Sequence, residues 1–239
     1  SRVCPRPRML TRDGVPGARY KHAMPLDPTP LPGLGAFTSA DLPDGRDYPA
    51  VEHLRTRRMR LGGFAFRHAL DLMRLGREER VTRLLLDDPI ATLDDAMGLV
   101  VWANKLYRER PGLGLWHTCD RAGRFIGLFS LTPSGDAGDI AIGVRLLPSA
   151  WGRGYALEGG AALCTHAFDT LELPALLAQC APDNRSVPPL LLRLGFEETA
   201  PGTQFGNPAR RFRLQRRDWQ GLQPRRRPAS RQPDEPAHD

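Results

Sequence analysis

Six consecutive residues, Trp151-Gly152-Arg153-Gly154-Tyr155-Ala156, carry the strongest chemical signal in the chain. A strand is predicted over residues 139–146 before them. After them, the apolar positions Leu157, Ala161, Cys164, Phe168 and Leu171 step by four, three, four and three, the spacing of one buried helix stripe. Two glycines at a strand-to-helix turn leave backbone N–H groups unshielded. The helix start adds orphan donors and partial positive charge, so the turn suits an anion such as a pyrophosphate. No Gly-Lys pair exists, which excludes a Walker A loop. A dinucleotide fingerprint would need glycine or alanine where Leu157 stands.

Other elements must hold this turn in place. A first strand is expected over Arg55–Leu61, then a helix over Phe64–Leu75 that stops at Gly76. Thr92 is a predicted N-cap with Asp94 and Asp95 in the first turn, where acids complement the helix dipole; Arg110-Pro111-Gly112 ends that helix. A hairpin follows, residues 114–119 and 124–131 around a turn at 120–123, then another turn at Pro133-Ser134-Gly135. Beyond the long helix, which is expected to begin near Gly152, come a short strand over Leu176–Ala181 and a helix over Pro189–Leu194 closed by Gly195. A last hairpin covers residues 196–204 and 210–215. The order β-α-α-β-β-β-α-β-α-β-β implies an α+β fold: a mixed, mostly antiparallel sheet with one right-handed parallel β-α-β crossover.

Composition bounds the partners. The chain has 239 residues, 41% of them hydrophobic, and no apolar run of membrane-spanning length, so no membrane partner is expected. Residues 1–47 and 219–239 are rich in Pro, Gly or Arg without periodicity and are expected to be extended or disordered tails around one domain at 48–218. The basic N-terminus has no apolar stretch behind it, so no secretory signal is expected. Net charge is +7, and lysine occurs only at Lys21 and Lys105. The core keeps 23 basic against 19 acidic residues, too mild for a dedicated nucleic-acid binder, although arginines 210, 211, 213, 216 and 217 cluster near the end. Cys4, Cys119, Cys164 and Cys180 show no metal spacing, and no metal is expected; scattered thiols of this kind fit a cytoplasmic setting.

The turn resembles a loop of the GNAT superfamily of N-acetyltransferases, Arg/Gln-x-x-Gly-x-Gly/Ala, with Gly154 and Ala156 at the two small positions. Trp151 stands where the superfamily usually has Arg or Gln. That departure is shared by the branch resembling ribosomal-protein alanine N-acetyltransferases, and Glu158 matches that branch too. A second motif agrees: Asn184 precedes Gly195-Phe196 by eleven residues. The resemblance covers about residues 54–218. It implies acetyl-CoA as co-substrate, with backbone groups of Val144, Arg145 and Leu146 along pantetheine, the amides of Gly152, Arg153, Gly154, Tyr155 and Ala156 on the pyrophosphate, and Asn184 touching the cofactor. The implied acceptor is a primary amine, a protein N-terminus or a small molecule, and the implied assembly a monomer or homodimer.

Acetyl transfer needs a neutral amine and a proton for the leaving thiolate, hence a base and an acid. The branch often keeps a Glu where Ala141 stands here. Asp139, on the same strand face two residues earlier, is the candidate base. The branch often has a Ser at the place of Val187, and Ser186 is one residue away, either the acid or a helix cap. These departures keep a second possibility open, a non-catalytic acyl-CoA sensor on the same fold. Glu78, Glu79, Asp87, Asp88, Asp94 and Asp95 lie in the region that shapes the acceptor pocket of relatives. His53, His68, His117 and His166 show no ligand spacing.

Overall fold

The computed structural model describes residues 53–134 and 138–222. The expected N-terminal tail, most of the C-terminal one and Gly135 of an expected turn lie outside the described residues. One sheet of eight strands organises the rest: β1 (Leu54–Arg55), β2 (Met59–Gly63), β3 (Gly114–Asp120), β4 (Phe125–Ser134), β5 (Asp139–Leu146), β6 (Ala175–Cys180), β7 (Glu197–Gln204) and β8 (Asn207–Gln215). Their order in space is β1-β2-β3-β4-β5-β6-β8-β7, antiparallel throughout except where β5 meets β6. The helices are α1 (Ala69–Gly76), α2 (Glu79–Thr82), α3 (Leu93–Glu109), α4 (Tyr155–Thr165, continued by a π turn at His166–Thr170) and α5 (Val187–Arg193).

The expected single strand at Arg55–Leu61 is instead a tight hairpin, with Leu54 opposite Leu61 and Arg55 opposite Arg60. The polar run Arg55-Thr56-Arg57-Arg58 has no apolar face to bury. Thr56 Oγ1 accepts from the N–H groups of Arg58 and Met59 at 3.3 and 3.0 Å, which closes the turn locally. The short helix α2 has no counterpart in the expected order, and β4 runs through Pro133 and Ser134, the place of an expected turn, because both residues still pair with β5; the other elements fall within a few residues of expectation. α3 starts at a capping box, in which Asp95 N–H donates to Thr92 Oγ1 at 3.1 Å and Thr92 N–H to Asp95 Oδ2 at 2.8 Å.

Helices α1 and α3 cover one face of the sheet. Tyr107 of α3 stitches them to it: its hydroxyl accepts from Phe64 N–H at 3.1 Å and donates to the Leu115 carbonyl, and burial pushes the phenol well above its ordinary pKa. Helices α4 and α5 cover the other face. A Cβ at Gly159 would lie 2.2 Å from the Phe129 ring, and one at Gly160 2.9 Å from Leu194. The bare pair therefore lets α4 settle directly on β4 and α5. Trp219, at the expected start of the C-terminal tail, packs on the core with its ring 6.2 Å from that of Phe168.

Candidate active site

The parallel strands β5 and β6 share a single paired position, Ala141 with Leu177. Each strand continues to pair with its antiparallel neighbour, β5 with β4 to Leu146 and β6 with β8 to Cys180. The two therefore part beyond Ala141 without losing their outer ladders. The slot they leave is walled by Phe129, Ile142, Val144, Ala156 and Leu190, a mostly apolar lining under α4 and α5 that also holds the polar Gln179. Backbone groups of β5 that point toward β6 past Ala141 have no strand partner there, a geometry suited to an extended amide-bearing chain. Of the three residues expected to serve pantetheine, Leu146 has its carbonyl taken by the Trp151 indole N–H at 2.7 Å.

The expected anion turn sits at the mouth of this slot. Gly152 and Gly154 have φ of 70° and 76°, left-handed values that a side chain would strain. Gly154 caps α4 without a side-chain acceptor, and residues 151–154 are exposed. Among the described residues, the N–H groups of Gly152, Arg153, Gly154, Tyr155 and Ala156 make no well-aligned backbone hydrogen bond. A helix N-terminus with such weakly engaged N–H groups is suited to an anion.

Sequence reasoning missed the brace behind this turn. Arg58, from the β1–β2 turn, donates through Nη1 to the Arg153 carbonyl at 2.7 Å and through Nε to Glu158 Oε2 at 2.6 Å; its backbone N–H reaches Glu158 Oε1 at 2.9 Å. The guanidinium also stacks over the Tyr155 ring at 4.6 Å. The partners lie 100 residues apart, so spacing gave no signal for them. Burial raises the Glu158 carboxyl, but hydrogen bonds from Thr56 and Arg58 outweigh it and hold the pKa below its usual 4.5. Because the folded pKa is depressed, this pair stabilises the fold above pH 4.5 and the benefit is lost as pH falls through the folded value. Glu158→Gln should cost about 1 kcal/mol at pH 7, the scale of a partly exposed pair. In denaturant titrations the gap between the two proteins should narrow below pH 4.5, and a pH-independent gap would assign the loss to packing instead.

Trp151, in the position of the usual Arg or Gln, is fixed at both ends. Its indole pins the end of β5, and Arg80 of α2 lies over its ring at 5.0 Å. Asn184 and Ser186 meet at the start of α5. There the Asn184 side-chain oxygen accepts from the N–H groups of Ser186 and Val187 at 3.1 and 3.3 Å. Asn184 is therefore the cap, and the Ser186 side chain makes no capping bond.

Ile142 and Val144 line the slot, so Asp139, Ala141, Gly143 and Arg145 point to the opposite face, toward α1, α3 and the segment after α2. Ala141, Leu177 and Arg213 lie in one row across β5, β6 and β8. Asp139 reaches over that row to Arg213 Nη1 at 3.5 Å. On the same face Arg145 pairs with Asp87, which fastens the segment after α2 to β5. Acids offset the C-terminal arginines too: Arg210 pairs with Glu198 at 2.7 Å and Arg216 with Glu172 at 3.6 Å, which breaks up any continuous basic stripe. His117 is held between the His68 ring at 3.9 Å and the Phe125 ring at 4.7 Å, with Nε2 2.8 Å from Asp71. Among the described residues no cluster of His, Cys, Asp and Glu is arranged to hold a metal ion, and no helix is long and apolar enough to cross a membrane.

A sequence model of the GNAT acetyltransferase domain matches residues 58–197, more than half of the chain. The chain belongs to this family, and its reaction is acetyl-CoA-dependent acyl transfer. It is 24% identical over 188 residues to an FsC-acetyl coenzyme A-N(2)-transacetylase of Aspergillus fumigatus, covering 71% of this chain and 79% of that one. Its fold is similar to an acetyltransferase from Agrobacterium tumefaciens (TM-score 0.59, 22% identity, 71% of this chain and 99% of the other). It is equally similar to RimL, a ribosomal L7/L12 alpha-N-protein acetyltransferase in complex with coenzyme A (TM-score 0.59, 16% identity, 69% and 98%).

Proposed function

We propose that the chain moves an acetyl group from acetyl-CoA to a primary amine by direct attack of the amine on the thioester. The observation that carries this reading is the parting of β5 and β6 past Ala141 into a slot that Ala156 lines, next to a turn whose N–H groups at 152–156 make no well-aligned backbone hydrogen bond. Cofactor threaded along that line would have its pyrophosphate on the turn and its thioester near Ile142 and Gly143. Val144 and Arg145 would offer backbone groups to pantetheine, and the free side-chain nitrogen of Asn184 stands at the entry of α5. The amine would arrive from the α1–α3 face, where Asp139 is the base, directly or through one water. Ser186, just before α5, is the hydroxyl assigned to return a proton to the thiolate.

The relatives point to amine acceptors: one is named an N(2)-transacetylase and one an alpha-N-protein acetyltransferase. Release of free thiol from acetyl-CoA across a panel of N-terminal peptides and small amines tests the reading. One specific feature favours a non-catalytic acyl-CoA sensor, Ala141 in the position where the related branch keeps its acid. Tight acetyl-CoA binding with no thiol release from any amine would establish that alternative.

The folded unit is proposed to be residues 48–218 with Trp219 docked on it. A chain cut to residues 48–219 should melt within a few degrees of the full-length protein, because the removed segments have too little apolar surface to offset their ordering. A drop of ten degrees or more would show that one of them packs on the domain.

A further inference from the structure

Away from the slot, a cavity of about 350 Å³ opens between the β1–β2 turn, the β3–β4 turn and the first residue of α4. Its lining holds four arginines, Arg57, Arg58, Arg121 and Arg124, with Asp120 and Tyr155. The acid is already committed. Asp120 Oδ1 accepts from the N–H groups of Ala122 and Arg124 at 2.9 and 3.0 Å, and Oδ2 from Arg124 Nε at 2.8 Å. Glu158 likewise offsets Arg58. Among the described residues no acid pairs with Arg57 or Arg121. Arg121 Nε donates to the Arg57 carbonyl at 2.6 Å, which holds that guanidinium at the cavity while leaving both terminal amino groups for a ligand. The exposed Arg60 adds a further charge beside the same turn, its Nη2 3.7 Å from where a Cβ on Gly123 would lie. Two guanidinium groups that pair with no acid among the described residues, brought to one concavity by two separate turns, match the oxygens of a phosphate group.

We propose that this cavity is a phosphate-binding site, with Arg57 and Arg121 as its ligand-holding residues and Arg124 and Arg58 as a fixed positive wall. It adjoins the 152–156 turn through Tyr155 and Arg58 but differs in chemistry: the turn offers backbone donors, whereas this site offers side-chain charge. The phosphate could come from two sources: the 3′-phosphate at the far end of acetyl-CoA, or free inorganic phosphate.

Calorimetry on the full chain separates them. The ligands are inorganic phosphate, acetyl-CoA and its 3′-dephospho form; the proteins are wild type, Arg57→Gln, Arg121→Gln and the double variant, each checked for its melting temperature. The 3′-phosphate source gives a preference of about tenfold or more for acetyl-CoA over the dephospho form, the scale of one charge-assisted contact, and the double variant abolishes it. The free-phosphate source gives no such preference. Inorganic phosphate then binds wild type even at saturating acetyl-CoA and loses tenfold or more in the double variant. Either pattern should weaken with added salt. Gly152→Asp keeps the outcomes distinct: a Cβ there meets nothing within 4 Å and the residue does not line the cavity, so it should lower cofactor affinity at the turn and leave inorganic phosphate binding unchanged. Folded single and double variants that match wild type on all three ligands would overturn the proposal, as would a wild type showing neither the preference nor phosphate binding.

Discussion

Gly154→Asp is expected to raise the dissociation constant for acetyl-CoA by tenfold or more, with the fold retained. Three effects act together at this position. The residue has φ of 76°, where a side chain costs about 1 kcal/mol or more. Its Cβ would stand 3.4 Å from Arg58 Nη2, so the new carboxylate would compete with Glu158 and the Arg153 carbonyl for the guanidinium that braces the turn. It would also put negative charge among the N–H groups of residues 152–156 proposed to hold the pyrophosphate, replacing a charge-assisted contact with repulsion. Gly154→Ala carries the strain without the charge and should cost less. Calorimetry on both variants measures the two contributions. Equal affinity in folded Gly154→Asp would show that the cofactor is held elsewhere.

Asp139→Asn is expected to lower turnover by roughly ten- to a hundredfold, at the weak end of general-base effects, while acetyl-CoA affinity stays within about twofold. Asp139 shares its strand face with Ala141 and lies roughly 6–7 Å further along β5, a gap that one ordered water partly bridges. The substitution also breaks the contact with Arg213, so Arg213→Gln is the necessary companion: it removes the ion pair and keeps the carboxylate. If Asp139 is the base, Arg213→Gln should retain most of the rate and the shape of the pH–rate profile, and Asp139→Asn should lose both. Ser186→Ala should cost less than Asp139→Asn, because water can protonate a thiolate. Full activity and an unchanged profile in Asp139→Asn would move the base to another residue, with Asp87 and the acids around α2 next in line. Loss of all turnover in Ser186→Ala, with cofactor binding intact, would reverse the order of the two residues.

The parts of this protein legible in its sequence are those in which the signal is local. The period of Leu157 to Leu171 specified α4, Thr92 with Asp95 specified the start of α3, and the glycines at 152 and 154 marked a turn that only left-handed backbone can make. The strand-helix-strand order around them was enough to require the parallel crossover at β5 and β6. The first strand was misread because Arg55 to Leu61 alternates weakly over a stretch too polar to bury. Its turn rests on one threonine hydroxyl, a contact that periodicity does not register.

By itself, the sequence determined the class of fold, the position of the glycine turn before α4 and, through the resemblance carried by Trp151–Ala156 and Asn184, the acetyl-CoA chemistry. Local preferences and short motifs act over a few residues, and those features are built from a few residues. Only the tertiary structure decided what stands behind and across from them. Arg58 meets Glu158 over a separation of 100 residues, Asp139 meets Arg213 across an intervening strand, and Arg57 and Arg121 come from two turns to one cavity. Contacts of that kind are set by how the sheet orders its strands, which brings distant residues within ångströms of each other and leaves no periodic mark in the chain.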